Sequence, residues 1–133
     1  MQSKAIIQQY YEYFNSKNLP SFLNLLDKDV VHEISQGTTE KGIDAFAAFM
    51  NRMNKAYDEH LRNIVIMSNE DGSRLAAEFI VEGTYKATDG TLPDAKNQKY
   101  TINCGAFFEV KNQKITRISN HYNMNDWLSQ VKG

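Results

Sequence analysis

With one cysteine in 133 residues, the chain cannot build a disulfide framework or a thiolate metal site within itself. Cys104 stands inside an apolar stretch and is expected to be a buried structural thiol. An excess of either charge is also missing. The 15 Lys and Arg against 16 Asp and Glu leave a net charge of -1, and so no basic field to attract nucleic acid or an anionic membrane. No apolar run approaches the roughly 20 residues that cross a bilayer, and Met1-Gln-Ser-Lys4 lacks the apolar stretch of a signal peptide. A cytoplasmic protein with neither nucleic-acid nor membrane partner is therefore expected. There is no phosphate loop, dinucleotide fingerprint, internal repeat, low-complexity run or linker. Residues 1–133 are expected to form a single domain, long enough to bury a core without staples, and to need no cofactor.

What is present is a change of hydrophobic period along the chain. Ile6, Ile7, Tyr10 and Phe14 recur at helical spacing and predict an amphipathic helix from Ser3, a candidate N-cap, to Asn15. After a break at 16–18, Pro20 falls in the first turn of a second predicted helix that buries Phe22, Leu23, Leu25 and Leu26. Residues 30–34 read as a short strand and 36–42 as a turn. Ile43, Phe46, Ala47, Met50 and Met53 then form one face of a third helix ending near Lys55. Four predicted strands follow, at 61–67, 74–85, 100–110 and 115–124, with polar turns at 69–73 and 111–114. In the second of them Leu75, Ala77, Phe79 and Val81 alternate with polar residues, which fixes one buried face. Residues 86–99 lack periodicity and read as a long loop of the kind that forms lids or mobile segments. A short helix over 125–131 closes the chain.

Helix, helix, strand, helix and four consecutive strands is an α+β order, with helices packed on one face of a curved antiparallel sheet. The last two strands carry apolar residues at both parities, Phe107 beside Phe108 and Ile115 with Ile118, so the face away from the helices is expected to meet a partner. The parity assigned to the third strand points Thr101, Asn103, Gly105 and Phe107 toward a pocket. Ile102, Cys104, Ala106, Phe108 and Val110 then form an outer apolar row that a homodimer would cover.

The order and spacing of these elements cover nearly the whole chain. Together with the segments His32–Gly37, Glu78–Tyr85, Gly105–Val110 and Tyr122–Trp127, they resemble the bacterial ketosteroid-isomerase-related, SnoaL-like proteins of the nuclear-transport-factor-2-like superfamily. The resemblance implies a cone-shaped barrel of a curved, mostly antiparallel sheet, with three N-terminal helices on its concave face and a short C-terminal helix. Ketosteroid isomerases hold an enolate oxygen with a first-helix tyrosine and a protonated aspartic acid, while another aspartate moves the proton. Carried over, Tyr10 takes the tyrosine position, Ile34 the aspartate base and Gly105 the acidic donor. In SnoaL-like cyclases an acidic residue near the end of the last strand does acid-base work, and Asn123 stands there.

The remaining candidates come from strand parity. His32 shares parity with Ile34, and His121 with Asn123, so Tyr10, His32 and His121 are the candidate catalytic residues, a histidine serving as base near neutral pH. Structural, hydrogen-bonded histidines are the bland alternative. Glu33 has the opposite parity and faces away unless a bulge reverses the register, when it becomes a carboxylate at the pocket mouth. Glu33, Ile34, Phe79, Asn103, Phe107, Asn123 and Trp127 are the candidate substrate-binding residues, with Trp127 as a lid. Asp58, Glu59 and His60 are consecutive and cannot face one ion from a regular strand, so they read as a solvated turn and no metal site is expected.

Two function classes fit these residues. One is isomerase- or cyclase-type acid-base chemistry on a small apolar carbonyl compound, and the other is a non-catalytic hydrophobic-ligand-binding or dimerisation module. The carried-over positions generate one expectation directly. Isoleucine cannot shuttle a proton, and a positioned base is worth about 10²–10⁴-fold, so turnover of a β,γ-unsaturated ketosteroid should be negligible and Ile34→Asp should recover little. Spectrophotometric turnover near that of a competent isomerase would show the carry-over to be wrong.

Overall fold

The computed structural model describes residues 2–132, so the expected domain limits at Met1 and Gly133 lie outside the described residues. Helix α1 (Ser3–Asn15) buries Ile6, Ile7, Tyr10 and Tyr11, two pairs at i, i+4 spacing. Its N-cap is Gln2, which makes no side-chain cap bond, rather than Ser3. Helix α2 (Leu19–Leu23) starts as expected, with Asn18 Oδ1 accepting from Ser21 N at 3.2 Å and Pro20 in the first turn. It stops after five residues, because the alternation Leu26, Val30, His32 commits the next segment to a half-buried strand, β1 (Leu26–Glu33). A three-residue strand, β2 (Thr39–Lys41), occupies the segment read as a turn. Gly42, at φ 101°, then admits the chain to α3 (Ile43–Ala56).

Strand β3 (Tyr57–Ser68) continues directly from α3, followed by β4 (Arg74–Tyr85), β5 (Gln98–Lys111), β6 (Lys114–Tyr122) and α4 (Met124–Val131). The strands form one curved sheet in the order β2-β1-β6-β5-β4-β3. The β1–β6 pair is parallel and the others are antiparallel, so the sheet is mixed. It is also open. Strands β2 and β3 are free edges, which corrects the expected closed barrel. Among the described residues no helix is long and apolar enough to cross a membrane.

Two parity assignments change. Along β5, Ile102, Ala106 and Phe108 are buried, whereas Thr101, Asn103 and Phe107 are exposed. The apolar row therefore faces the helices and cannot be the outer face, since burying five apolar side chains outweighs turning Thr and Asn inward. In β6, Ile115 and Ile118 are both fully buried despite opposite parity. Val110 pairs with Ile115 and Glu109 with Arg117, so Thr116 is the extra residue of a bulge that rotates both isoleucines inward.

The inverted parity has a measurable consequence. Phe108, with no exposed surface, packs near Tyr10 and Tyr11, so Phe108→Ala should cost about 3–5 kcal/mol in urea unfolding. Thr101→Ala on the exposed face should cost less than about 1 kcal/mol. Equal losses would contradict the assignment.

Candidate functional site

The helix-facing side of the sheet does not close completely on the helices. Between them lies a cavity of about 430 Å³, within the range of small-molecule sites. Aromatic and aliphatic residues make most of its wall: Phe14 from α1, Phe46, Phe49 and Met50 from α3, Leu61 from β3, Phe79 and Val81 from β4, Ile102 from β5 and Trp127 from α4. Trp127 is held edge-on against Tyr57, Tyr85 and Tyr100.

Three polar side chains enter this wall from the α1 and β1 side. The Tyr10 ring packs on Phe22 at 4.4 Å and on Phe108 at 5.3 Å, and Tyr11 stands perpendicular to it, 5.2 Å from Phe79. Burial pushes both phenols above their ordinary pKa, so both are neutral donors. The His32 ring lies 4.6 Å from both Phe46 and Phe49. Burial lowers its pKa, and Glu40, its cross-strand neighbour on β2, opposes the shift. The Tyr11 hydroxyl and His32 Nδ1 are both buried without a protein hydrogen-bond partner, as is Glu40 Oε1. An orphaned group costs about 1–3 kcal/mol, and Tyr11 and His32 line the cavity, where a ligand can meet them.

The opposite wall carries paired polar groups. Tyr100 donates its hydroxyl to Glu59 Oε2 at 2.5 Å, and Tyr57 donates to Asp89 Oδ2 at 2.8 Å. Lys17 Nζ donates to the Glu59 carbonyl at 2.7 Å. Burial raises the Glu59 pKa, while the Tyr100 hydrogen bond and Lys17 work against the rise. The Cys104 thiol, which lines the cavity, is pushed up to about 12 by burial and stays neutral. The aperiodic segment after β4 forms part of this wall. Tyr85 donates to Pro93 O at 2.6 Å and accepts from Asp89 N at 3.0 Å, and Asp89 and Leu92 face the cavity.

Of the residues expected in the site, Tyr10, His32, Ile34, Phe79 and Trp127 line this one cavity. The others do not. Asn103 and Phe107 face outward with the inverted parity of β5, as does Gly105, which pairs with His121. His121 borders the cavity mouth, but its ring sits on the outer face, with Nε2 2.9 Å from Ser119 Oγ and 5.5 Å separating its centroid from Phe107. Asn123 is spent as the α4 cap, accepting from Asp126 N at 3.1 Å. Glu33 points outward to Arg117, Oε1 to Nη2 2.8 Å, and that hydrogen bond holds its pKa below the ordinary carboxylate value. Among the described residues no group of three His, Cys, Asp or Glu side chains is arranged around a metal position.

Sequence reasoning missed Tyr11 and Glu59. The charged neighbours Asp58 and His60 make Glu59 read as part of a solvated turn, and nothing in the pattern separates Tyr11 from ordinary helix packing. A signal did exist: Gly83 interrupts an otherwise regular strand, and a strand glycine marks a close approach. Glu59 pairs with Gly83, and Gly83 with Tyr100.

The family model described as a SnoaL-like domain matches residues 7–118. A proposed polyketide cyclase from Pseudomonas putida KT2440 is 49% identical over 98% of each chain, with a TM-score of 0.97. A second, from Xanthomonas campestris pv. campestris, is 45% identical over 98% of this chain and 96% of that one, with a TM-score of 0.95. An NTF2-like protein from Burkholderia xenovorans LB400 shares the fold alone, at 15% identity over 98% and 95% of the chains and a TM-score of 0.76. No curated protein matches this chain.

The state of His32 can be read in solution. Its folded pKa lies below the ordinary value of about 6.5, so the unfolded chain binds the extra proton first. Stability from this group is full above about pH 6.5 and falls as pH drops toward the folded pKa. NMR titration of the imidazole should give a midpoint below 6.5, and His32→Phe should flatten the acid side of the stability profile. A midpoint above 6.5 would contradict the buried, neutral ring.

Proposed function

The chain belongs to the SnoaL-like domain family, and on that premise we propose that it is an enzyme doing isomerase- or cyclase-type acid-base chemistry on a small, largely apolar carbonyl compound held in the cavity. The observation that carries this reading is the pair of buried, unpartnered polar groups, the Tyr11 hydroxyl and His32 Nδ1, in an otherwise aromatic wall. A carbonyl oxygen is the ligand group that best satisfies two neutral donors. A phenol O–H and the single N–H of a neutral imidazole stabilise the same oxygen more strongly as it becomes an enolate, because charge builds there in a medium that excludes water. The enolate carbon then either takes its proton back at a new position or attacks a second carbonyl of the same molecule. The latter outcome fits the relatives proposed to be polyketide cyclases.

A generic enolisable ketone tests the reading. In D₂O the protein should accelerate exchange of the α-protons of 2-tetralone over buffer, followed by proton NMR, and Tyr11→Phe should lower that rate by about 10²–10³. Binding of the ketone without accelerated exchange would contradict an enzyme and favour a non-catalytic pocket.

The functional unit in this reading is a homodimer joined through the outer sheet face. Val65 and Met67 on β3 and Phe107 on β5 are 48%, 48% and 49% exposed, high for large apolar side chains. The register sets Met67, Ala76 and Phe107 in one cross-strand row, with Ile80 on the same face of β4. Such a row suits a two-fold contact with its own copy. Light scattering at micromolar concentration should give a dimer mass, reduced to monomer by Phe107→Glu. A monomeric mass for the unmodified chain would rule the interface out.

A further inference from the structure

Enolisation needs a base as well as oxygen donors, and the base position carried over from the isomerases holds Ile34. Among the described residues, the carboxylates that line the cavity are Glu59 and Asp89. Asp89 is engaged by Tyr57 and belongs to the aperiodic segment after β4. Glu59 is carried on β3 near the centre of a three-strand row, Glu59–Gly83–Tyr100. We infer that Glu59 is the carboxylate that takes the proton from the substrate carbon, and that Tyr100, acting through it, is a positioning residue made possible by Gly83. The inference rests on the enolate reading of the cavity and supplies its missing base.

The geometry of the row is specific. Residues on β3 and β5 are separated by the whole of β4, roughly 9–10 Å at normal strand spacing, so a side chain from one must cross β4 to touch the other. Tyr100 does so by laying its ring over the backbone of Gly83, where any Cβ would overlap the ring carbons and the hydroxyl. Its hydroxyl then meets Glu59 Oε2 at 2.5 Å, the short distance of a bond to a charged acceptor. One carboxylate oxygen is thereby fixed and the other is left for the ligand. Lys17, bonded to the Glu59 carbonyl and lining the same cavity, places a cation nearby.

The step balances within the site. A Glu59 oxygen forms a bond to the α-proton, the C–H electron pair becomes the enolate double bond, and the carbonyl π pair moves to the oxygen facing Tyr11 and His32. When the Glu59 carboxylic acid trades that proton for a deuteron from D₂O, return of the deuteron to the same carbon gives exchange, and return of the hydron to another carbon gives isomerisation. Burial already raises the affinity of Glu59 for a proton, which brings a carboxylate closer to the range useful at neutral pH.

The test follows 2-tetralone exchange in D₂O across pH for the full chain. Unmodified protein should show a rate that rises through a single midpoint as Glu59 ionises. Glu59→Gln should lose about 10²–10⁴-fold in rate while still binding the ketone. Tyr100→Phe removes a donor that favours the ionised carboxylate, so the midpoint should move to higher pH, and the Glu59 side-chain carbon signal in ¹³C NMR should titrate with it. Gly83→Ala should move the midpoint in the same direction by displacing the tyrosine; should that variant not fold, Tyr100→Phe alone decides the positioning role. Exchange that survives Glu59→Gln would overturn this assignment and leave the enzyme reading intact. An unchanged midpoint in Tyr100→Phe would overturn the role of the row. No exchange in the unmodified protein would overturn the enzyme reading itself, and the base with it.

Discussion

The direction in which β5 turns its apolar row decides the character of the interior. With Ile102, Cys104, Ala106 and Phe108 on the side that meets the helices, the Phe108 ring supports Tyr10 and Tyr11 of α1, and those two tyrosines set the aromatic wall into which His32 projects. Reversing that strand by one residue would put Asn103 and Gly105 under α1 and expose Phe108. Because strand side chains alternate strictly, the change would move every residue of β5 at once. The bulge at Thr116 preserves the same choice in β6, where both isoleucines must reach the core.

The alternation in β4, the helical stripes of α1 and α3, and the order of elements apart from the short strand β2 were legible in the sequence because each is a local repeat with one apolar set. The end of α2 was not, since Leu25 and Leu26 continue a helical stripe as well as they begin a strand, and only pairing of Leu26 with Ile115 settles the matter. The parity of β5 was misread by reserving its polar residues for a pocket, when the apolar row had more to gain from burial. Of the site, Tyr10, His32, Ile34, Phe79 and Trp127 were accessible from pattern and resemblance. Glu59 was hidden by its charged neighbours Asp58 and His60, and its partner Tyr100 lies 41 residues away across an intervening strand. No periodicity announces such a contact; a lone strand glycine does.

Two orphaned buried polar groups at about 1–3 kcal/mol each are a large fraction of the roughly 5–15 kcal/mol by which a domain is stable. Packing alone would favour phenylalanine at position 11 and an apolar residue at 32, where the surroundings are Phe46 and Phe49. The paired groups on the other wall bear no such cost, because Tyr100 and Glu59, and Tyr57 and Asp89, satisfy each other. The cavity thus has one wall whose polar groups lack partners and one whose groups are held in place, an asymmetry suited to binding an oxygen at one side and handling a proton at the other.

The central claim is that a ligand oxygen completes the Tyr11 and His32 pair. A crystal structure of the protein with 2-naphthol, a planar mimic of an enolate, tests it most directly. The account requires the naphthol ring between the aromatic walls of the cavity, with its oxygen about 2.6–3.2 Å from the Tyr11 hydroxyl or a His32 ring nitrogen. Naphthol bound on the outer sheet face beside Phe107, or in the cavity with its oxygen turned away from both groups, would contradict it.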